Sequence, residues 1–273
     1  MSEADAIART PGRPGTISSL AAEFRQLGIT PGMVLIAHSS LSALGWVCGG
    51  AVAVILALEE ALGPAGTLVM PAHSGDLSEP SEWQHPPVPE SWWAIIREAT
   101  PAYDPHLTPT RGMGVIPETF RKQPGVLRSG HPLLSFAAWG AHARTVTENH
   151  RLDFCQGEGS PLARIYDLDG RVLLLGVGHE SNTSLHLAEY RADYPGKVAV
   201  KCGAPMCVNG GRRWIEFQDI NEDSSDFEAI GADFARETGK IIAGKVAQAA
   251  ALLMPQRALV DYAVNWMATN RRA

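Results

Sequence analysis

One apolar run ends abruptly in small polar residues: Met33-Val34-Leu35-Ile36-Ala37-His38-Ser39-Ser40-Leu41-Ser42. Short apolar runs bounded by turn residues are typical of buried strands, so we predict a strand over Met33–Ala37. A Gly-Gly pair then precedes a run that predicts a helix from about Ala51 to Leu62. A strand, a loop and a helix in this order indicate an α/β fold.

Helix and strand patterns alternate on both sides of this unit. Apolar residues at helical spacing predict helices over residues 20–27, 116–121, 161–166 and 182–191. Apolar runs predict further strands over residues 67–70, 135–139 and 171–177. Residues 71–112 are rich in proline and have little periodicity. An irregular segment of this length inside a compact chain is usually functional.

The second half of the chain carries a different pattern. Three short apolar runs predict a β patch at about residues 197–217, with a hairpin turn at Asn209-Gly210-Gly211. From Ser224 to Met267 the pattern predicts three helices broken by Gly239 and Pro255. The expected fold class is α/β: a three-layer α/β/α sandwich around a mixed sheet, with this small antiparallel β patch added. We expect residues 1–15 to form a mobile N-terminal arm and residues 16–273 a single domain.

Composition excludes several classes of protein. The 273 residues are 45% hydrophobic and 19% charged, which is ordinary for a globular protein and excludes a disordered chain. The net charge of −6 argues against a nucleic-acid partner. The longest apolar run has eight residues, whereas a membrane span needs about 20. Four scattered cysteines and no apparent secretory signal indicate a reduced, cytoplasmic protein.

The loop His38–Ser42, which we call the donor loop, is the first candidate site. A loop between a strand and a helix presents free backbone N–H groups, which suit an anionic group, and three serine hydroxyls add donors. The loop is not a phosphate-binding P-loop, because no Gly-Lys-Ser/Thr follows the glycines. The alternative is a simple Ser/Gly connection.

His186 and Glu189 form the second candidate. They are three residues apart on a predicted helix, so the carboxylate is placed to orient the imidazole as a general base. A surface pair without function is the alternative. The glycines at 176 and 178 match a dinucleotide fingerprint poorly, and no histidine spacing is typical of a metal site. We therefore expect no metal.

Acidic residues form the third feature, because Glu216–Glu228 contains six Asp or Glu side chains. A solvated acidic face is the usual meaning of such a run. A cleft of one charge sign also concentrates ligands of the opposite sign, so the alternative is a site for a polycationic small molecule.

At these motifs the chain resembles the aminoglycoside 3-N-acetyltransferases, the Antibiotic_NAT acyltransferases. The likeness covers roughly residues 16–268 and is carried by collinear motifs, namely His38-Ser39-Ser40-Leu41, Gly49-Gly50, residues 63–68, Asp104-Pro105, Thr108-Pro109-Thr110, Gly112-Met113-Gly114, residues 118–121, Arg128-Ser129, His131-Pro132, residues 135–140, residues 157–162 and the run from Val172 to Tyr190. The chain departs from the family's pattern after Met70, where it reads Pro71-Ala72-His73-Ser74.

The resemblance implies acetyl transfer from acetyl-CoA to an amino group, for many members the 3-amino group of a 2-deoxystreptamine antibiotic, which confers resistance. In that reaction we expect His186 to be the base, Glu189 to orient it and His38 to donate near the thioester. We expect acetyl-CoA to be held by His38, Ser39, Ser40, Leu41, Ser42, Thr110, Arg111, Met113 and Gly114, with its phosphates near Arg111 and Arg128. We expect the aminoglycoside to contact Asp76, Glu79, Tyr103, Asp104, Glu222 and Asp223.

Two other functions remain open on the sequence. One is the same acyl transfer to a different amine, such as another antibiotic or a natural-product intermediate. The other is a non-catalytic protein that sequesters cationic aminoglycosides. In each case the partners are small molecules, and the protein is expected to be a monomer or a homodimer.

Overall fold

A computed structural model describes residues 3–272, so residues 1, 2 and 273 of the predicted arm and domain lie outside the described residues. The strands are β1 Val34–Ser39, β2 Thr67–Pro71, β3 Leu127–Arg128, β4 Phe136–Gly140, β5 Arg171–Leu175, β6 Ala199–Val208, β7 Gly211–Ile220, β8 Ile242–Val246 and β9 Ala249–Pro255. The helices are α1 Glu3–Ala8, α2 Ile17–Leu27, α3 Gly50–Leu62, α4 Glu90–Ala99, α5 Val115–Phe120, α6 Ala143–Thr147, α7 Pro161–Asp167, α8 Ser184–Arg191, α9 Phe227–Thr238 and α10 Gln256–Asn270.

A seven-stranded sheet forms the middle layer, in the order β3-β4-β2-β1-β5-β9-β8. The central strand β1 runs parallel to β2 and β5, with Ile36 opposite Val69 on one side and Val172 on the other. The remaining neighbours pair antiparallel, which makes the sheet mixed. Strands β6 and β7 form a separate two-stranded antiparallel sheet. The predicted mixed sheet and β patch are both confirmed.

Helices cover both faces of the sheet, because successive residues of a strand point to opposite sides. Leu35 packs with Phe24 of α2 and Leu58 of α3 in one core, whereas Ile36 belongs to a second core with Phe234 of α9. All five side chains are fully buried. The three-layer architecture follows from this alternation.

Three segments differ from the sequence-based expectation. Within the predicted arm, residues 3–8 form α1, and Trp46 donates its indole N–H to Glu3 at 3.2 Å. Within the predicted irregular segment lies α4, whose side chains are all at least partly exposed and therefore give a weak burial pattern. The prediction of the middle one of three C-terminal helices is wrong, because residues 242–255 form the hairpin β8–β9.

The hairpin β8–β9 shows why that prediction failed. Its sequence is rich in alanine, which favours helices in isolation. In the folded chain β9 pairs along the whole of β5, from Arg171–Pro255 to Leu175–Ala251, and extends the sheet. Tertiary pairing thus overrides local propensity.

No helix within residues 3–272 is both long and apolar enough to cross a membrane.

Candidate active site

A cavity of about 560 Å³ opens at the carboxyl ends of the parallel strands β1, β2 and β5. Ligands of open α/β sheets bind in this position, beyond the carboxyl ends of the strands. The cavity is lined by the donor loop, the Gly112–Val115 segment, Pro117, and residues Ala37, Pro71, His73, Val177, Glu180, Ser181, Thr183 and His186. The structure therefore joins the donor loop and His186, two of the predicted features, in one space.

Gly176 explains how the donor loop reaches the end of β5. Its φ of +70° is a backbone conformation that favours glycine. A Cβ at this position would also lie 2.3 Å from the Cβ of Ala43, which follows the donor loop. The glycine thus permits a close approach that no side chain would allow.

The predicted pair on α8 is formed. His186 Nδ1 lies 2.5 Å from Glu189 Oε2, and the rings of His186 and Phe227 pack edge-on with centroids 4.9 Å apart. The side chain of Glu189 is fully buried, whereas that of His186 is 17% exposed at the cavity. The alternative of a surface pair does not fit these burials.

Glu189 is held on its other oxygen as well. Its Oε1 accepts hydrogen bonds from the Asp223 N–H at 2.9 Å and from Arg271 Nη1 at 2.7 Å. A buried carboxylate is costly unless it is paired and hydrogen-bonded, and both conditions are met here. The carboxylate is therefore fixed in position before any ligand binds.

The charges around His186 favour its protonated form. Burial lowers the pKa of His186, but the charge of Glu222 and the hydrogen bond that His186 donates to Glu189 outweigh it, so the pKa is raised above 6.5. Glu222 Oε2 lies 3.9 Å from His186 Nδ1. Burial in turn raises the pKa of Glu222, whose Oε1 accepts hydrogen bonds from Gln156 at 2.7 Å and Tyr190 at 2.9 Å. An imidazole in this setting is a stronger base than a free histidine.

Two further imidazoles in the cavity wall are kept neutral. Burial, followed by the charge of His186, lowers the pKa of both His38 and His73 to about 3. Within residues 3–272, Nε2 of each ring is buried without a hydrogen-bond partner. A neutral imidazole has one N–H donor and one acceptor nitrogen, so each ring is able to offer one hydrogen bond of either kind to a ligand.

The donor loop has the features needed to hold a polar acyl donor. Ser39 Oγ is buried without a partner in the described part of the chain, and the hydroxyls of Ser40 and Ser42 lie 3.0 Å apart. Leu41 and Ser42 occupy the first positions of a short 3-10 turn, where backbone N–H groups lack carbonyl partners within the turn. Met113 and Gly114 also line the cavity.

The remaining residues predicted to hold acetyl-CoA lie elsewhere. Thr110 donates its N–H and hydroxyl to Glu118 at 2.9 and 2.8 Å, and Arg111 pairs with Asp76. Arg128 donates to backbone oxygens of Thr108 and Ala72 at 2.5 and 2.6 Å. The cavity wall does not include these three residues.

The residues predicted to bind the aminoglycoside divide into two groups. Glu222 and Asp223 form the first group, next to the proposed base. Glu222 lies beside His186, and the backbone N–H of Asp223 donates to Glu189. The other four are engaged in local structure: Asp76 with Arg111, Glu79 with Arg97 at 2.6 Å, the Tyr103 hydroxyl with the Ser129 carbonyl at 2.8 Å, and Asp104 with the N–H groups of His106 and Leu107 at 2.7 and 2.9 Å. The structure does not bring these four into the cavity.

Three residues of the site were not identified from the sequence. His73 stands on the cavity wall, where the chain departs from the family's pattern. Glu180 lines the cavity, and its Oε1 accepts the Gly178 N–H at 3.0 Å. Arg271 reaches the site from beyond α10. A sequence signal existed for His73 in the departure itself, whereas nothing local marks Arg271. Among residues 3–272 no group of three or more His, Cys, Asp or Glu side chains is placed to bind a metal.

Comparison with known proteins gives consistent results. The family model described as aminoglycoside 3-N-acetyltransferase matches residues 36–268. A prophage-derived aminoglycoside N(3')-acetyltransferase-like protein of Bacillus subtilis is 45% identical over 94% of both chains, and its crystal structure superposes with a TM-score of 0.95. Aminoglycoside N(3)-acetyltransferase VII of Streptomyces paromomycinus is 38% identical over 98% of this chain and 96% of its own.

A solved binary complex of AAC-IIIb with CoASH shares the fold with a TM-score of 0.85 and 32% identity, covering 96% of this chain and 99% of that one. The match of the family model and the identity of the relatives over nearly their full lengths confirm the predicted family and the predicted acyltransferase class. The chain belongs to the aminoglycoside 3-N-acetyltransferase family.

Proposed function

We propose that the cavity is where an acetyl group passes from acetyl-CoA to an amino group of an aminoglycoside, with His186 as the general base. The family accounts for the reaction, and the assignment of residues rests on one observation: His186, oriented by the buried Glu189, lines the same cavity as the donor loop. The acceptor position we favour is the 3-amino group of 2-deoxystreptamine, in keeping with the names of the relatives.

The base is needed because an amine attacks only when it is unprotonated, whereas aminoglycoside amines are largely ammonium ions at neutral pH. Glu189 engages Nδ1 of His186, which leaves Nε2 to take the proton. Loss of a positioned base typically costs 10²–10⁴-fold in rate.

The chemical step has a simple balance. The amine nitrogen attacks the thioester carbonyl carbon, the new C–N bond forms, and the C–S bond breaks. The ammonium group gives up two protons in all: His186 takes one and passes it to the sulfur of the departing CoA, and the other leaves to water, because the products are a neutral amide and a thiol. Negative charge develops on the carbonyl oxygen, and the N–H groups of Leu41 and Ser42 are the donors we assign to it. Holding both reactants together supplies much of the acceleration, so no acyl-enzyme is required.

Carboxylates near His186 suit a polycationic acceptor. Glu180 lines the cavity and Glu222 lies 3.9 Å from His186 Nδ1. We assign to them the ammonium groups that do not react, because opposite charges attract most strongly where water is partly excluded.

For the whole protein we propose one domain from residue 16 onward and a monomer or homodimer. We propose no nucleic-acid partner, because the chain is acidic. We propose a cytoplasmic location, because acetyl-CoA is made there.

The test is release of CoA thiol in the presence of acetyl-CoA and a panel of aminoglycosides, followed by the mass and the site of acetylation of each product. We expect one added acetyl group on the 3-amino group. Stoichiometric binding of aminoglycosides without thiol release would contradict the proposal and support a sequestering protein. Turnover with other amines alone would restrict the proposal to the same chemistry on a different acceptor.

A further inference from the structure

Arg271 lies just beyond the last helix and outside the region that the family model matches, which ends at residue 268. Its backbone N–H caps α10 by donating to the Met267 carbonyl. Its side chain is nevertheless only 9% exposed, because it turns back toward α8. A buried guanidinium requires partners, and the identity of those partners is informative.

The guanidinium of Arg271 connects three segments of the chain. Nη1 donates to Glu189 Oε1 at 2.7 Å, while Nε and Nη2 donate to the two carboxylate oxygens of Asp226 at 2.8 Å each. Nη2 also donates to the Asp223 carbonyl at 2.6 Å, and the group lies 4.7 Å from the ring centroid of Tyr194. Paired hydrogen bonds of this kind fix a carboxylate in direction as well as in charge.

We propose that Arg271 is a positioning residue for the reaction: it fixes the Glu189 carboxylate, which in turn orients His186 with Nε2 toward the cavity. The inference rests on the proposed role of His186 as the base. Arg271 touches neither substrate, so its effect on the reaction passes through Glu189.

Charge gives the direction of the effect. With Arg271 present, ionised Glu189 and neutral His186 are compensated by a positive neighbour. Without it, the buried pair carries an uncompensated negative charge whenever it has lost its proton. The pair then binds a proton more tightly, whether that proton sits on the imidazole or on the carboxyl. Removing Arg271 is therefore expected to raise the pH at which the base becomes free.

Other groups around His186 also affect its protonation, and their side chains are the same with or without Arg271. Glu222 raises the pKa of His186, and Arg271 lowers it. The other titratable or charged groups that line the cavity or contact the pair are His38 of β1, His73 after β2, Glu180 on the cavity wall, Glu189 of α8, and Asp223 and Asp226 before α9. Since His38 and His73 are neutral, the carboxylates and Arg271 set the charge at the base.

The test compares Arg271→Gln with Arg271→Lys and with the control Arg272→Gln, which removes an arginine from the adjacent exposed position. For Arg271→Gln we expect the acid limb of kcat/KM to move up by about one pH unit, because the loss of a nearby positive charge makes the imidazole easier to protonate. We expect kcat at neutral pH to fall roughly tenfold. For Arg271→Lys, which keeps the charge, both the acid limb and kcat should lie between those of Arg271→Gln and the parent. For Arg272→Gln both should match the parent.

A second measurement does not depend on turnover. NMR titration of the His186 imidazole in the enzyme without substrates should show the same upward shift in Arg271→Gln. An unchanged limb together with an unchanged His186 titration would overturn the proposal, even if the variant were less stable. If Arg271→Gln fails to fold, Arg271→Lys decides by the same two readouts. Retained activity in His186→Ala would instead contradict the proposed base, while the NMR shift would still report what Arg271 does to the pair.

Discussion

His186 Nδ1 and Glu189 Oε2 lie 2.5 Å apart, with the histidine at the cavity and the carboxylate fully buried. A carboxylate on Nδ1 makes that nitrogen the donor and leaves Nε2 as the acceptor. The pair therefore fixes both the tautomer and the direction of the imidazole.

Glu189→Gln should lower kcat by roughly ten- to a hundredfold, less than removal of the imidazole, because the amide keeps one acceptor oxygen but loses the charge. The acid limb of kcat/KM should move to lower pH, because Glu189 raises the pKa of His186. The measurement is a pH profile beside that of Glu158→Gln, which removes an exposed carboxylate paired with Arg191 of the same helix. A limb that stays in place would argue against coupling between Glu189 and His186.

Ser40→Leu should raise the KM for acetyl-CoA about tenfold or more while leaving that for the aminoglycoside nearly unchanged, because a bulky side chain on the cavity wall costs binding directly. Thr110→Val is the comparison, since Thr110 contacts Glu118 rather than the cavity. Steady-state kinetics with each substrate varied in turn distinguish the two variants. Equal donor KM values in Ser40→Leu and the parent would remove the donor loop from the acetyl-CoA site.

Glu180→Gln should raise the KM for the aminoglycoside several-fold at low salt, and the difference should shrink at high salt because ions screen exposed charges. The matched control is Glu79→Gln, which removes a carboxylate held by Arg97 at 2.6 Å outside the cavity. Kinetics at two salt concentrations test this. A larger effect at Glu79 than at Glu180 would favour the acceptor surface expected from the sequence.

Acid should destabilise the fold below pH 6.5 through its buried histidines. Burial lowers the pKa of His38, His73 and His131 to about 3 and that of His150 to about 4. These groups are neutral when folded and bind protons on unfolding, so the stability they contribute is complete above pH 6.5 and is lost as pH falls toward 3, or toward 4 for His150. In that range each of these histidines lowers the free energy of unfolding by about 1.4 kcal/mol per pH unit.

Denaturant unfolding at several pH values between 7 and 4 measures this slope. His150→Phe should lower the stability at pH 7, because His150 bonds Ser129 Oγ at 2.9 Å and the Cys155 carbonyl at 2.6 Å. It should also flatten the slope by about one proton. An unchanged slope in this variant would show that His150 is not neutral in the folded protein.

Much of the fold was accessible from the sequence because burial and periodicity coincide there. The run Val34–Ala37 is buried along its length, and Asn209-Gly210 turns the β6–β7 hairpin with positive φ at both residues, as such turns require. The C-terminal hairpin β8–β9 was not accessible, because its alanines acquire a strand conformation only by pairing with β5. Local sequence carries no record of that partner.

The contacts of the candidate site were likewise predictable from the sequence only in part. His186 and Glu189 are three residues apart on one helix, so their contact was predictable from spacing. Arg271 meets Glu189 across 82 positions of the chain, and no local pattern encodes such a contact. Asp76, Glu79 and Asp104 were expected to contact the aminoglycoside, but each carboxylate is already bound to a nearby donor in the fold.

Base catalysis by His186 is tested by the pH dependence of kcat and kcat/KM for the parent and for His186→Ala, with circular dichroism to verify the fold of the variant. Because the pKa of His186 is raised, the parent's kcat/KM should rise through an acid limb above pH 6.5. In His186→Ala that limb should vanish and kcat should fall by 10²–10⁴-fold. A folded His186→Ala enzyme that keeps more than about a tenth of the parent's kcat, with the limb still present, would contradict base catalysis by His186.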